Sequence, residues 1–303
     1  MHIREWVVIA FAAVLFSLPF VFGMPQKVYE SSRYDYTYEL FDEMPYIVHA
    51  GGAIKPPKGS GDKKSYKYTN SREALEKTYQ KGNRVVEMDF ASTADGGLVC
   101  LHDWEEMTYT NDTDQSNAAL NGQKLTMEQF RSVRIYGWFT PMTVDDMIEF
   151  MREHEDLVLI SDTKSDDESS TVVDGRNDTD FFCDYIRRNA PELRDRIIIQ
   201  IYQQGDYEDV KNAGFDHIIY TLYRLPDEDK LDTEAHRKFA AQHPLVGITF
   251  QKALLKNKGF MKGMKACHVP LFVHTVNGKK KAKTLNQGIT AVYTDNARNE
   301  PVK

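Results

Sequence analysis

Downstream of residue 45, short runs of apolar and β-branched residues return at regular intervals with amphipathic stretches between them. This alternation constrains the fold more than any other feature of the chain. The runs are YIVHA (46–50), VVEMDF (85–90), LVLISD (157–162), IIIQIY (197–202), HIIYTLY (217–223), LVGITF (245–250), LFVHTV (271–276) and ITAVYT (289–294). They read as eight strands. Helical spacing fills the intervals at 71–82, 143–156, 178–189, 207–214, 234–242 and 277–288, several of them closed by glycine. Strand–helix alternation predicts a parallel sheet covered by helices, and eight units in about 250 residues match a closed (β/α)8 TIM barrel, an α/β fold. A doubly wound open sheet is the alternative, but no GxGxxG follows the first strand. The Gly/Lys-rich KPPKGSGDKK (55–64) reads as a flexible loop.

Ahead of the barrel, no side chain from Trp6 to Gln26 is ionisable and the run is almost wholly apolar, long enough to cross a bilayer as a helix. Residues 1–26 are expected to be a membrane anchor, or a signal peptide cleaved near Val21-Phe22-Gly23. Residues 27–44 are then a linker and 45–303 the barrel. Arg4 keeps the amino terminus on the cytoplasmic side, so either reading places the barrel outside the cytoplasm. The 303 residues are 41% apolar and 12% aromatic, enough for a real core. A net charge of -7 gives no general pull toward nucleic acid, which is not expected as a partner. Cys100, Cys183 and Cys267 form neither a disulfide framework nor a zinc pattern.

In a barrel the carboxyl ends of all strands meet at one mouth, so polar residues that end apolar runs form a set. His49 ends the first run, Glu87 and Asp89 lie near the end of the second, His102-Asp103 ends the intervening LVCLHD, and Asp162 with Lys164 ends the third. Glu87 and Asp89 are two apart on an extended segment and share a face. Buried together, they require a cation. Asp162 offers a third carboxylate, and three hard oxygen donors without thiolates suit Mg2+ or Ca2+. His49 and His102 supply a base and an acid for cleaving a phosphodiester, and Lys164 a charge for its non-bridging oxygens. Each element alone has an ordinary explanation: a strand-end histidine is commonly structural, and Asp-x-Lys is commonly a solvated pair. Co-location at one mouth lifts the set. Gln200, Tyr202 and Tyr223 either line the same mouth or pack there, and Lys279–Lys281 form a solvated face or a contact for anionic lipid.

These motifs resemble a known family. HAGG (49–52), TNSREAL (69–75), EMDFASTADGGLVCLHDW (87–104) and SDTK (161–164) are similar, in the same order, to the pattern of glycerophosphodiester phosphodiesterases. PMTVDDMIEFM (141–151), HTVN (274–277) and YTDN (293–296) extend the likeness. The resemblance implies a metal-dependent barrel enzyme that cleaves a phosphodiester beside a glycerol-like alcohol. By position, His49 and His102 would be the acid/base pair, Glu87, Asp89 and Asp162 the metal ligands, and Lys164 a phosphate contact; Asn70 and Gln200 are further expected substrate contacts. Three positions depart from the pattern. Ala50 stands where Arg is usual, Thr69 where Glu is usual, and Asp162 where Glu is commoner. Asp followed by x-Lys also resembles the phospholipases D of spider venom, and phosphatidylinositol-specific phospholipases C share the barrel and the paired histidines. His274 replaces a common Trp and is expected to be a strand-end residue without a role, and Asp295 to cap or orient a loop. Expected substrates are glycerophosphodiesters, phospholipid headgroups or glycerol-phosphate-containing surface polymers. The rival expectation, motivated by Ala50 and Thr69, is a catalytically silent membrane-tethered barrel that binds phosphorylated glycans or lipids.

Overall fold

Nine strands alternate with ten α-helices in a computed structural model that describes residues 39–163 and 177–296. The strands are β1 (Tyr46–Val48), β2 (Val85–Ser92), β3 (Leu98–Cys100), β4 (Val158–Thr163), β5 (Ile197–Ile201), β6 (Ile218–Thr221), β7 (Gly247–Gln251), β8 (Leu271–His274) and β9 (Ala291–Thr294). The helices are α1 (Glu39–Glu43), α2 (Arg72–Gln80), α3 (Met127–Ser132), α4 (Val144–Glu153) and α5 (Asp178–Asn189) in the first part. Then come α6 (Asp206–Asn212), α7 (Asp227–Leu231), α8 (Thr233–Gln242), α9 (Lys258–Lys265) and α10 (Lys280–Leu285). Sheet order is β1-β9-β8-β7-β6-β5-β4-β2-β3, and a further parallel pairing of β1 with β2 closes the ring. The eight predicted strands are the eight parallel staves of a closed barrel. Within the ninth strand lies the difference: β3 folds back antiparallel on β2 as a hairpin outside the ring.

Alternation along each strand separates two apolar layers. Val48, Val86, Leu159, Ile199 and Val273 face the surrounding helices in one cluster. Ile47, Val85, Val158, Ile198, Ile219 and Phe272 fill the barrel interior in another. A parallel sheet covered on its outer face and filled within needs apolar side chains on both sides of its strands, which is why the runs read as continuous rather than alternating.

Residues 39–43, assigned from the sequence to a linker, form α1 instead. Its Leu40 and Phe41 are fully buried in the interior cluster, with the Phe41 ring 4.7 Å from that of Phe272. The helix therefore plugs the amino-terminal end of the barrel. A third cluster, including Val99, Leu101, Trp104, Phe130 and Phe139, gives the long connection between β3 and α4 its own core. Among the described residues no helix is long and apolar enough to cross a membrane. The predicted anchor or signal at residues 1–26 lies outside the described residues, as does Lys164.

Candidate active site

β2 carries the change from packing to chemistry within one strand. Its Val86, Met88 and Phe90 point to the helices. On the other face, Val85 joins the barrel interior, and the next two inward residues are Glu87 and Asp89. β4 repeats the plan: Val158 and Ile160 fill the interior and Asp162 follows. Parallel register sets Asp89 opposite Asp162. One carboxylate oxygen from each of Glu87, Asp89 and Asp162 lies within 4.8 Å of the other two, and all three residues are buried. Burial, and then the charge of Asp89, push the Glu87 carboxyl well above the usual range. Glu87 Oε1 is buried without a hydrogen-bond partner among the described residues. Three mutually repelling buried carboxylates, one of them with an orphaned oxygen, fit a hard divalent cation such as Mg2+ or Ca2+.

His49 stands at the end of β1 in a tight turn whose next residue, Ala50, has φ 48°. That left-handed backbone is unfavourable for alanine. Here it aims the Ala50 N–H at Glu87 Oε2, 2.7 Å away. Gly52, at φ 103°, completes the turn where a Cβ would lie 2.5 Å from Thr78 Oγ1. The imidazole is buried between two acids: Nδ1 lies 3.2 Å from Asp295 Oδ1, and Nε2 lies 3.9 Å from Glu87 Oε2. Burial opposes its charge, but Glu87, the Asp295 hydrogen bond and Asp89 outweigh burial and raise the His49 pKa to about 9. Asp295, expected to orient a loop, does bind Asn277 Nδ2 at 2.6 Å in the connection after β8. It also pairs with Lys67 Nζ at 2.6 Å. Burial opposes its ionisation, yet the bonds from His49, Lys67 and Asn277 bring the Asp295 pKa down to about 2.

The other candidates divide between support and rim. Asn70 is bound to Asp89 twice: its Nδ2 donates to Asp89 Oδ2 at 2.8 Å and its Oδ1 accepts from the Asp89 N–H at 3.0 Å. Gln200, fully buried on β5, accepts from the Tyr293 hydroxyl at 3.1 Å and reaches the Tyr202 hydroxyl at 3.4 Å. Asp162 receives hydrogen bonds from two phenols, Tyr202 on Oδ1 and Tyr223 on Oδ2, and the two hydroxyls meet at 2.5 Å. His274 stacks on Tyr293 with ring centroids 3.7 Å apart and lies 5.9 Å from the His49 ring. Burial, and then the His49 charge, depress its pKa.

His102 follows β3 on a segment tied to β2, since the Leu101 N–H donates to the Asp89 carbonyl at 3.0 Å. It is partly exposed. Tyr68 stands between the histidines, its ring 4.7 Å from His49 and 4.8 Å from His102. Burial raises the Tyr68 hydroxyl to about 12. Sequence reasoning did not single out Lys67 or Tyr68, because they lie in an irregular connection without periodicity. Their only local signal is the neighbouring TN that opens α2.

The site thus gathers His49, Glu87, Asp89 and Asp162 at the carboxyl ends of the strands, with Asn70, Asp295, Tyr202 and Tyr223 holding them. The model of the Glycerophosphoryl diester phosphodiesterase family matches residues 60–299. No curated protein matches the chain. Among solved structures, a glycerophosphodiester phosphodiesterase from Parabacteroides distasonis is 18% identical, covering 84% of this chain and 93% of its own, with a TM-score of 0.58. One from Thermotoga maritima is 15% identical over 83% and 94%, with a TM-score of 0.57. A phosphodiesterase from Oleispira antarctica, solved with the product sn-glycerol-3-phosphate, is 16% identical over 84% and 93%, with a TM-score of 0.56. At these identities the likeness establishes the shared barrel.

Proposed function

The chain belongs to the glycerophosphoryl diester phosphodiesterase family, whose members are phosphoric diester hydrolases, and from that premise we propose that it cleaves a phosphodiester joined to glycerol or a glycerol-like alcohol. The carrying observation is the buried triad of Glu87, Asp89 and Asp162 with His49 beside it. The triad would hold Mg2+ or Ca2+. Bound there, such a cation supplies Lewis-acid neutralisation of the non-bridging phosphate oxygens. Asn70 orients Asp89, and the two phenols orient Asp162.

His49 and His102 divide the proton transfers, one taking the proton of the attacking oxygen and the other returning one to the leaving alkoxide. Asp295 occupies His49 Nδ1, so Nε2 is the nitrogen left on the side of the triad, 3.9 Å from Glu87 Oε2. A neighbouring glycerol hydroxyl is one source of the attacking oxygen, since proximity within the substrate favours it. Lys164 would add a phosphate contact, and Gln200 would support the floor through Tyr202. Substrates on this reading are glycerophosphodiesters, phospholipid headgroups or glycerol-phosphate-containing surface polymers; the product held by the Oleispira antarctica relative supports the first class. The apolar run at 1–26 would anchor or export the barrel formed by 45–303 beyond the cytoplasm, a reading that rests on its composition.

Turnover of glycerophosphocholine, glycerophosphoinositol and bis(p-nitrophenyl) phosphate, with Mg2+, Ca2+ or EDTA, tests this. Metal-dependent hydrolysis that drops about 100- to 10,000-fold in His49→Ala and in His102→Ala is expected. Background rates under every condition would favour the silent binding barrel.

A further inference from the structure

Charge is distributed unevenly along this chain. Between Ala235 and Thr294 there are eleven Lys or Arg residues and no Asp or Glu, although the whole protein carries -7. That stretch builds β7, β8 and β9 with most of α8 and all of α9 and α10, which is one contiguous sector of the barrel. At the mouth, the connection after β7 presents Lys252, Lys256 and Lys258, and the connection after β8 presents Lys279 and Lys280, all exposed. β1 lies next around the ring beyond β9. Its mouth-side loop continues the arc with exposed Lys55, Lys58, Lys63 and Lys64 against a single acid, Asp62.

The facing arc has the opposite sign. Asp103, Glu105 and Glu106 follow β3, and α7, after β6, opens with Asp227, Glu228 and Asp229. Among the described residues, the rim of the barrel mouth is therefore largely basic on one side and largely acidic on the other.

We propose that the basic arc docks the barrel on an anionic lipid bilayer, with the pocket mouth turned toward the surface. The arc is made of lysines on separate loops. Ammonium point charges spread over a broad face suit a diffuse field of headgroups, whereas recognition of one fixed phosphate favours the guanidinium fork, which the loops of the arc lack among the described residues. The acidic arc is repelled by the same surface, so the pair sets an orientation as well as an attraction. Such docking would shorten the path of a headgroup-bearing substrate to the pocket, yet it does not depend on the chemistry of the triad and is measurable with the metal removed.

The test uses the full chain in EDTA and co-sedimentation with vesicles of phosphatidylglycerol in phosphatidylcholine or of phosphatidylcholine alone. Because the chain carries an apolar amino-terminal run, the quantity read is the ratio of anionic to neutral binding. In the triple variant Lys252→Gln/Lys256→Gln/Lys279→Gln that ratio should fall about 100-fold. The control Lys81→Gln/Lys238→Gln/Lys265→Gln removes the same charge away from the arc and should leave the ratio within about twofold. Raising the salt should weaken anionic binding of the unaltered protein. Equal binding of that protein to both vesicle types, an unchanged ratio in the first triple variant, equal losses in the two triple variants, or tighter binding to duplex DNA at the same salt would each overturn the proposal.

Discussion

His49 and Asp295 are the residues that follow the last in-register pair between the first and last strands of the barrel, Val48 on β1 and Thr294 on β9, and their side chains meet at 3.2 Å. The contact joins positions 246 apart in the chain. It exists only when the ring is closed. Asp295 thereby fixes the imidazole that faces the triad, while Lys67 and Asn277 hold Asp295 itself.

Replacing Asp295 by Asn keeps the shape and removes the charge. The His49 pKa, held at about 9 in the metal-free protein, should fall, because the hydrogen bond and charge of Asp295 both raise it. NMR titration of the labelled histidine in EDTA checks this, and an unchanged value would show that Glu87 and Asp89 alone set it. Turnover should fall at least about tenfold, since the ring loses its orientation.

The same pair predicts a pH window for stability. Asp295 has a depressed pKa, so its contribution is complete above its unfolded value of 3.8 and is lost as pH falls through about 2. His49 has a raised pKa, so its contribution is complete below its unfolded value of 6.5 and is lost as pH rises through about 9. Urea unfolding in EDTA should therefore show the largest deficit of Asp295→Asn between pH 3.8 and 6.5, shrinking on both sides. A flat deficit across pH would deny that the pair is ionic.

Glu87→Gln separates stability from metal binding. The amide oxygen still accepts from the Ala50 N–H, but the buried charge beside Asp89 is gone. In EDTA at neutral pH this variant should be more stable than the unaltered protein, because a raised carboxyl pKa means that ionised Glu87 destabilises the fold. Added Mg2+ or Ca2+ should raise the melting temperature of the unaltered protein and leave that of Glu87→Gln nearly unmoved. Thermal scans with and without metal read both effects.

Tyr202 and Tyr223 should act as a unit. Each donates to Asp162 and each touches the other, so removing either hydroxyl disturbs both bonds. Tyr202→Phe should cost about 1–3 kcal/mol of stability, since it leaves buried polar partners unsatisfied. The double variant with Tyr223→Phe should cost less than the sum of the single losses. A double-mutant cycle by urea unfolding measures the coupling, and additivity would show two independent bonds. Metal affinity should weaken about 10- to 100-fold in Tyr202→Phe if orientation of Asp162 matters to the triad.

Much of this was legible in the chain itself. The eight staves were visible because burial on both faces writes continuous apolar runs into local sequence, and the change from Val85 to Glu87 and Asp89 on one face was visible because strand periodicity is also local. α1 was hidden because ELFDE is too short to show a helical period, and its role as a plug depends on Leu40 and Phe41 meeting the barrel interior. The core beneath the β3–α4 connection was hidden likewise, since Trp104, Phe130 and Phe139 are spaced irregularly.

The sequence by itself determined the barrel, its strands, and the acids and His49 carried at their carboxyl ends, because side-chain alternation and the ends of apolar runs are properties of neighbouring residues. Tertiary structure alone decided which groups hold that chemistry in place: Asp295 and Lys67 for His49, Asn70 for Asp89, Tyr202 and Tyr223 for Asp162. Those partners are brought together by ring closure and strand register across long stretches of chain, and no local pattern of apolar and polar residues encodes such distances.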